Sequence, residues 1–422
     1  MRHKHLQNIL WNKKFLVTVL AAVVPITSVQ ASGFRVPEVS VAGTASSNAL
    51  VANTEELGAV AYNPAAISFH TGKAAMAGVN YINYETAVTP TGGTRTDGNG
   101  ETDFYVPNLM LSTVGDNNWA FALLINAPFG LETSWPDNTF PGFAGVDALE
   151  PAMSKIKMLN FNPNLSYKID SSSSFSFGLD FYDVRDLRLN TQAVKISGTG
   201  TGLGWNIGYI KKLAGNLTLG ASYRSSVDTD ITGTFDSTAL GPPNGPFYLG
   251  AEAELEFPDI FQLGLHYQAT PNFGIEFDVD RTGWSSFDEI NVTNSTGGTF
   301  NSSTNNWKDS WAYRLGFSYN FNPHTKIMFG YSYDETPQPD SHFSARVPDA
   351  DRQLFSVGAS HTLAGSWILQ YAYMHVVVDD RTVNSSTTYI PGTTPDANGT
   401  TAYNGKYESD VNLLGISLTK TF

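Results

Sequence analysis

Tyr313-Arg314-Leu315-Gly316-Phe317-Ser318-Tyr319-Asn320-Phe321 puts an aromatic residue or leucine at every second position, with a polar residue or glycine between. A few residues on, Ile327, Phe329, Tyr331 and Tyr333 stand against Gly330, Ser332 and Asp334. The same period of two governs Phe175 to Phe181, Leu203 to Tyr209, Phe261 to Tyr267 and Phe273 to Val279. Successive side chains of a strand point to opposite faces, so these are strands with one apolar and one polar face.

A soluble β-sandwich also alternates, but four features argue for a membrane barrel. The polar face carries Gly, Ser, Asn and isolated charges, as a wet lumen would, rather than the Lys and Glu of a soluble surface. Charged residues make up only 15% of the 422, against a usual share of about 25%. Trp119, Trp135, Trp205, Trp284, Trp311 and Trp367 fall near strand ends, where an interfacial girdle is expected. The chain ends on Phe422, with Leu414, Ile416 and Leu418 on one alternating face. A terminal aromatic on an amphipathic strand resembles the signal by which the barrel assembly machinery recognises outer-membrane barrels.

Around this barrel the remaining chain reads simply. Arg2, Lys4, Lys13 and Lys14, the apolar run Phe15 to Val24 and the small-residue site Val29-Gln30-Ala31 predict a signal peptide over 1–31 and a mature start at Ser32. Its removal takes four basic residues and no acidic ones, leaving 21 against 39 and a net charge of −18. No later segment approaches the 18 apolar residues of a membrane-spanning helix. With no basic face there is no footprint for nucleic acid, and with no cysteine there is neither disulfide nor thiolate metal site. The six mature His lack metal-binding spacing, and His266 and Ser360 lack a triad-like context, so no metal, cofactor or enzymatic activity is expected.

Short candidate turns lie at Gly115–Asn118, Asp170–Ser173, Ala214–Asn216, Thr270–Asn272, Asn322–His324 and Leu363–Gly365. Longer links lie between them, at 90–103, 131–152, 191–200, 237–248, 288–307, 337–352 and 379–407. Together they join fourteen strands into an antiparallel transmembrane β-barrel over 73–422, with short periplasmic turns and long outer loops. Fourteen strands leave a lumen that must hold something. The segment 32–72, without alternation but bearing Phe34, Val36, Val39, Val41, Leu50, Val51, Leu57 and Ile67, is expected to fold inside as a hatch.

Ser32-Gly33-Phe34, Tyr62-Asn63-Pro64-Ala65-Ala66, Gly204-Trp205-Asn206-Ile207-Gly208, Tyr223-Arg224-Ser225, Gly283-Trp284-Ser285-Ser286-Phe287, Trp307-Lys308-Asp309, Tyr313-Arg314-Leu315-Gly316 and Val347-Pro348-Asp349-Ala350-Asp351-Arg352 follow one another in an order that resembles the FadL/TodX family. These are outer-membrane channels for long-chain fatty acids and other hydrophobic compounds. The resemblance spans essentially the whole mature chain and implies a fourteen-stranded barrel with an N-terminal hatch. It also implies passive transport: capture at an outer groove, transfer to an apolar lumen pocket, then lateral release through the wall.

On this resemblance Phe34 matches the aromatic residue at the bound ligand, and Lys308 a basic residue at its head group. Arg185 or Arg188, placed on the lumen side of their strand, supplies a second cation, although Asp183, Asp186, Asp278 and Asp309 are available as structural partners for such charges. Pro64 fixes φ and Asn63 bonds its own backbone, so Asn63-Pro64-Ala65 is expected to turn the hatch at its gate. Pro128, Phe129 and Gly130 end the third strand with residue types that disrupt ladder pairing, and mark the lateral opening. The 191–200 and 237–248 links are shorter than the partly helical loops of long fatty-acid transporters. The capture site is therefore expected elsewhere, at Trp135, Phe140 and Phe143. Expected partners are hydrophobic small molecules, outer-membrane lipid and lipopolysaccharide, and the assembly machinery, with the chain itself a monomer. A hydrocarbon channel and a surface adhesin are the alternatives; an adhesin needs neither hatch nor lumen charge pair.

Overall fold

The computed structural model describes residues 33–145, 149–241, 245–294, 298–386 and 401–422. The predicted signal peptide, and Ser32 with it, lies outside them. Fourteen antiparallel spans follow in chain order. They are β1 Lys73–Pro90, β2 Asp103–Val114, β3 in two pieces Trp119–Asn126 and Gly130–Ser134, β4 Pro151–Asp170, β5 Ser173–Thr191 and β6 Val194–Lys212. Next come β7 as Leu217–Arg224 and Val227–Gly241, β8 as Gly245–Phe257 and Ile260–Thr270, β9 as Phe273–Thr282 and Glu289–Asn294, and β10 as Thr299–Thr304 and Ser310–Asn322. The last four are β11 Thr325–Asp334, β12 Arg352–Leu363, β13 Trp367–Val378 and β14 Gly405–Thr421. β14 closes on β1 from Ala74 opposite Thr421 to Pro90 opposite Gly405. Closure removes the outer edges that lipid cannot satisfy.

Phe175, Phe177, Leu179 and Phe181 of β5 are exposed while Ser174, Ser176, Asp180 and Tyr182 are buried, so the apolar face meets lipid and the polar face meets the interior. All six expected short turns fall between spans, helped by Asn118, Asn216 and Gly365 in the left-handed region. The outer links differ. Only Gln192 and Ala193 separate β5 from β6, β7 runs on to Gly241, and Glu289–Asn294 of β9 pairs with Thr299–Thr304 of β10. Beyond the bilayer neither face of a strand meets hydrocarbon. There the strands alternate sparse apolar residues, such as Val194, Ile196, Phe235 and Val292, with Thr, Ser, Gly and charged ones that also read as loop, while the ladder continues. Two girdle assignments also change, because Trp135 and Trp284 are buried within the protein.

Inside the barrel the hatch forms a short helix, α1 Val41–Ala45, capped by the Ser40 hydroxyl on the Gly43 N–H, followed by 3-10 turns at Leu57–Ala61 and Pro64–Phe69. The glycines of the polar face have a different purpose from lining a wet pore. A Cβ on Gly220 would lie 2.2 Å from the Val51 carbonyl oxygen, and one on Gly330 would lie 2.2 Å from the backbone of Ser46. Glycine on the inner wall lets the hatch backbone touch the sheet. Wall side chains then satisfy hatch groups: Asp278 accepts from the Val51 N–H at 2.9 Å, Glu276 from Ala52 at 2.7 Å, and Asn80 donates to the Glu38 carbonyl at 2.7 Å.

Candidate functional site: an aromatic pocket at the head of the hatch

Phe34 is fully buried, with ring centroids of Trp284 at 4.5 Å, Phe287 at 5.1 Å, Trp307 at 6.0 Å, Phe129 at 6.1 Å and Phe257 at 6.2 Å. Leu131, Ile156, Met158, Tyr182 and Val184 extend this apolar shell. Gly33, at φ +69°, is required before it, since a Cβ there would come within 2.8 Å of Trp307 and Trp284. Each surrounding aromatic residue sits where a strand is broken: Phe129 in β3, Phe257 at the end of the upper piece of β8, Trp284 and Phe287 between the pieces of β9, Trp307 between those of β10. A continuous strand could not turn these side chains into one center; the breaks do so.

The break in β3 also opens the wall. β2 pairs with β3 only from Leu109 opposite Ile125 to Val114 opposite Ala120. Among the described residues, 103–108 pair with β1 alone and 130–134 with β4 alone. The hatch takes up the slack from inside: the Val36 N–H donates to the Pro128 carbonyl at 2.8 Å and the Gly130 N–H to the Phe34 carbonyl at 2.9 Å. One apolar cluster joins Val36, Phe104, Val106, Ala127 and Leu159, and Ile125 and Phe161 pack against it.

A charged layer lies beneath the pocket. Arg35 pairs with Asp280 at 3.0 Å; Asp280 also holds Arg314, which reaches Asp334 at 3.2 Å. Arg224 pairs with Asp180. At the periplasmic end Lys326 bridges Glu55 and Glu56, each at 2.9 Å. Burial pushes the Glu56 carboxyl up, but the Lys326 ammonium and hydrogen bonds from Lys326 and Gln370 outweigh it and hold Glu56 below its ordinary value. Above the pocket the Asp349 carboxylate accepts from the Gly33 N–H at 3.0 Å and from the Thr336 hydroxyl at 2.6 Å. Burial pushes the Asp349 carboxyl up.

The other sequence-predicted residues fall in mixed places. Asn63 caps the Pro64–Phe69 turn, accepting from Ala65 and donating to the carbonyls of Val51 and Tyr209, so it ties two parts of the hatch to β6. Lys308 is exposed and its neighbour Asp309 is taken by Arg281. Arg185 and Arg188 are not in the lumen: Tyr182, Val184 and Leu187 take the inner face across a bulge, and both arginines pair on the outer side with Asp183 and Asp186. Arg185 shares the outward parity of Phe175 to Phe181, and the bulge between Val184 and Leu187, which sequence parity does not reveal, turns Arg188 outward as well. Trp135, Phe140 and Phe143 are buried among Phe343, Tyr403 and Tyr407, closing the outer end rather than offering a capture surface. Sequence reasoning missed Arg35, Phe257, Trp284, Phe287 and Trp307 as pocket residues. Pro258 and Gly283, which interrupt the alternation beside them, were the available signal.

A family model described as outer membrane protein transport protein (OMPP1/FadL/TodX) matches residues 22–422. The chain belongs to this family. FadL/TodX relatives include the long-chain fatty acid transport protein of Escherichia coli O6:H1, 24% identical over 462 aligned residues that cover 97% of this chain and 99% of that protein. Outer membrane protein P1 of Haemophilus influenzae is 23% identical, covering 97% and 100%. Among solved structures, a Pseudomonas aeruginosa FadL homologue aligns with a TM-score of 0.77 at 20% identity, over 92% of this chain and all of that one. The Pseudomonas putida toluene transporter TodX aligns at 0.69 and 16% identity, over 94% and 100%. This FadL/TodX member is therefore an outer-membrane transport protein of a family made of channels rather than enzymes.

Proposed function

We propose that this FadL/TodX protein carries long-chain fatty acids passively across the outer membrane, with a lumen pocket at Phe34, rearrangement of the hatch, and lateral release between β2 and β3. One observation carries the reading: Phe34 fills an aromatic pocket while its carbonyl, with the Val36 N–H, is bonded to the broken segment of β3. Cargo that displaces Phe34 thereby pulls on the residues that close the wall. Asn63-Pro64-Ala65 acts as the fixed turn about which the hatch head moves. Affinity comes from area, at roughly 0.8 kcal/mol for each methylene buried, and no energy source is needed. Hydrocarbon cargo is the second reading, favoured by a pocket whose nearby arginines, Arg35, Arg224 and Arg314, are each already paired with an acid. Expression in a host lacking its own fatty-acid transporter tests the choice. Uptake of oleate above the empty-vector level supports the first reading, and uptake of toluene alone supports the second.

A further inference from the structure

The broken wall has a charged outer lip. Ile156 and Met158 pack toward Phe34, so Lys155 and Lys157 of β4 face outward, opposite Glu132 and Gly130 of β3. Lys157 lies four residues from Phe161, about 13 Å along the strand, which puts it near the head groups when Phe161 meets acyl chains. The stretch leading into β2 arches over this lip. Asn99 donates its N–H to the Ser134 carbonyl at 3.0 Å, and Glu101 reaches across β3 to within 3.6 Å of the Lys157 ammonium. Lys155 is committed to Glu132 at 2.9 Å, whereas Glu101, which faces Lys157 at 3.6 Å, is half-exposed and loosely held.

We propose that Lys157 receives the carboxylate of a departing fatty acid, which exchanges with Glu101 on the ammonium as the acyl chain slides into lipid. The inference rests on lateral release between β2 and β3 and adds a selection for acids at that exit. An anionic head crossing an apolar gap loses its hydration, and a cation at the lip offsets that loss, whereas a hydrocarbon gains nothing from it. Glu101 serves as the resting counter-ion, bridging β2 to β4 over the break while no cargo is present.

The test compares oleate with hexadecane uptake by the full-length protein in cells, normalised to correctly assembled protein in the outer membrane. Lys157→Gln should lower the oleate-to-hexadecane ratio about tenfold, the size expected for loss of one charge-assisted hydrogen bond. Lys157→Arg should restore most of it, and Glu101→Gln, which removes the competitor, should not lower it. An unchanged ratio in Lys157→Gln overturns the proposal, as does failure of the wild type to take up oleate. A Pro128→Val, Gly130→Val double variant runs beside it. If that variant blocks both cargoes while Lys157→Gln leaves the ratio unchanged, lateral release stands and the role of Lys157 falls. If it transports both normally, the exit itself is elsewhere and both fall.

Discussion

Phe34 shows how much depends on single side chains. Its ring is the common neighbour of five aromatic groups brought in by four strands. Phe34→Ala should weaken docking of the hatch head by about 3–5 kcal/mol, the usual cost of truncating a buried phenylalanine. Hydrogen exchange at Val36 and Gly130, whose N–H groups bond across this contact, reads it directly, and unchanged protection would place the docking energy elsewhere. Phe34 was legible through the resemblance to the FadL/TodX family, which marks an aromatic residue near the start of the hatch. Arg188 was not, because a bulge moves a residue to the other face without changing its character. Lys308, exposed beside Trp307, remains a residue proposed to meet a cargo carboxylate. Lys308→Ala should reduce oleate uptake and spare toluene, and equal loss of both would make it structural.

At the scale of elements, the hatch is buried inside the barrel and bonded to the wall along its length. Its periplasmic end is fixed by Glu56 and Glu55 on Lys326. Since the folded protein holds the Glu56 carboxyl below its ordinary value, that contribution is present above the unfolded value of about 4.3 and is lost as pH falls through the lowered one. Amides of residues 55–70 should therefore exchange faster at pH 3 than at pH 6 after correction for intrinsic rates. Lys326→Met should flatten that dependence; equal dependence in both would remove the pair from the hatch's anchorage. The spans were legible because lipid imposes a period of two on every one of them. The upper parts of β5 to β10 were not, since there few apolar residues, such as Val194 and Ile196, alternate with Thr, Ser, Gly and Lys, a composition that also reads as loop. The breaks that build the pocket were only partly legible: Pro128 and Gly130 announce theirs, whereas the interruption beside Trp307 carries no proline or glycine.

The whole molecule is a closed sheet whose weakest place is also where its plug is attached. Closure depends on β14, just beyond which Phe422 donates its N–H to the Lys73 carbonyl at 2.9 Å while its ring stays exposed. Deleting Phe422 should lower the amount of heat-modifiable barrel in the outer membrane several-fold while leaving transport per folded molecule near normal; normal levels would contradict its role as an assembly signal. The central claim is that cargo leaves sideways. Release into the periplasm would expose the chain to water at roughly 25 cal/mol for each Å² of apolar surface, whereas the β2–β3 gap leads straight to lipid. The direct measurement is oleate uptake alongside oleate binding in the Pro128→Val, Gly130→Val variant, which restores two β-forming residues where β3 is broken. Uptake should fall at least tenfold while binding and outer-membrane level persist, and undiminished uptake by the correctly assembled variant would contradict lateral release at this site.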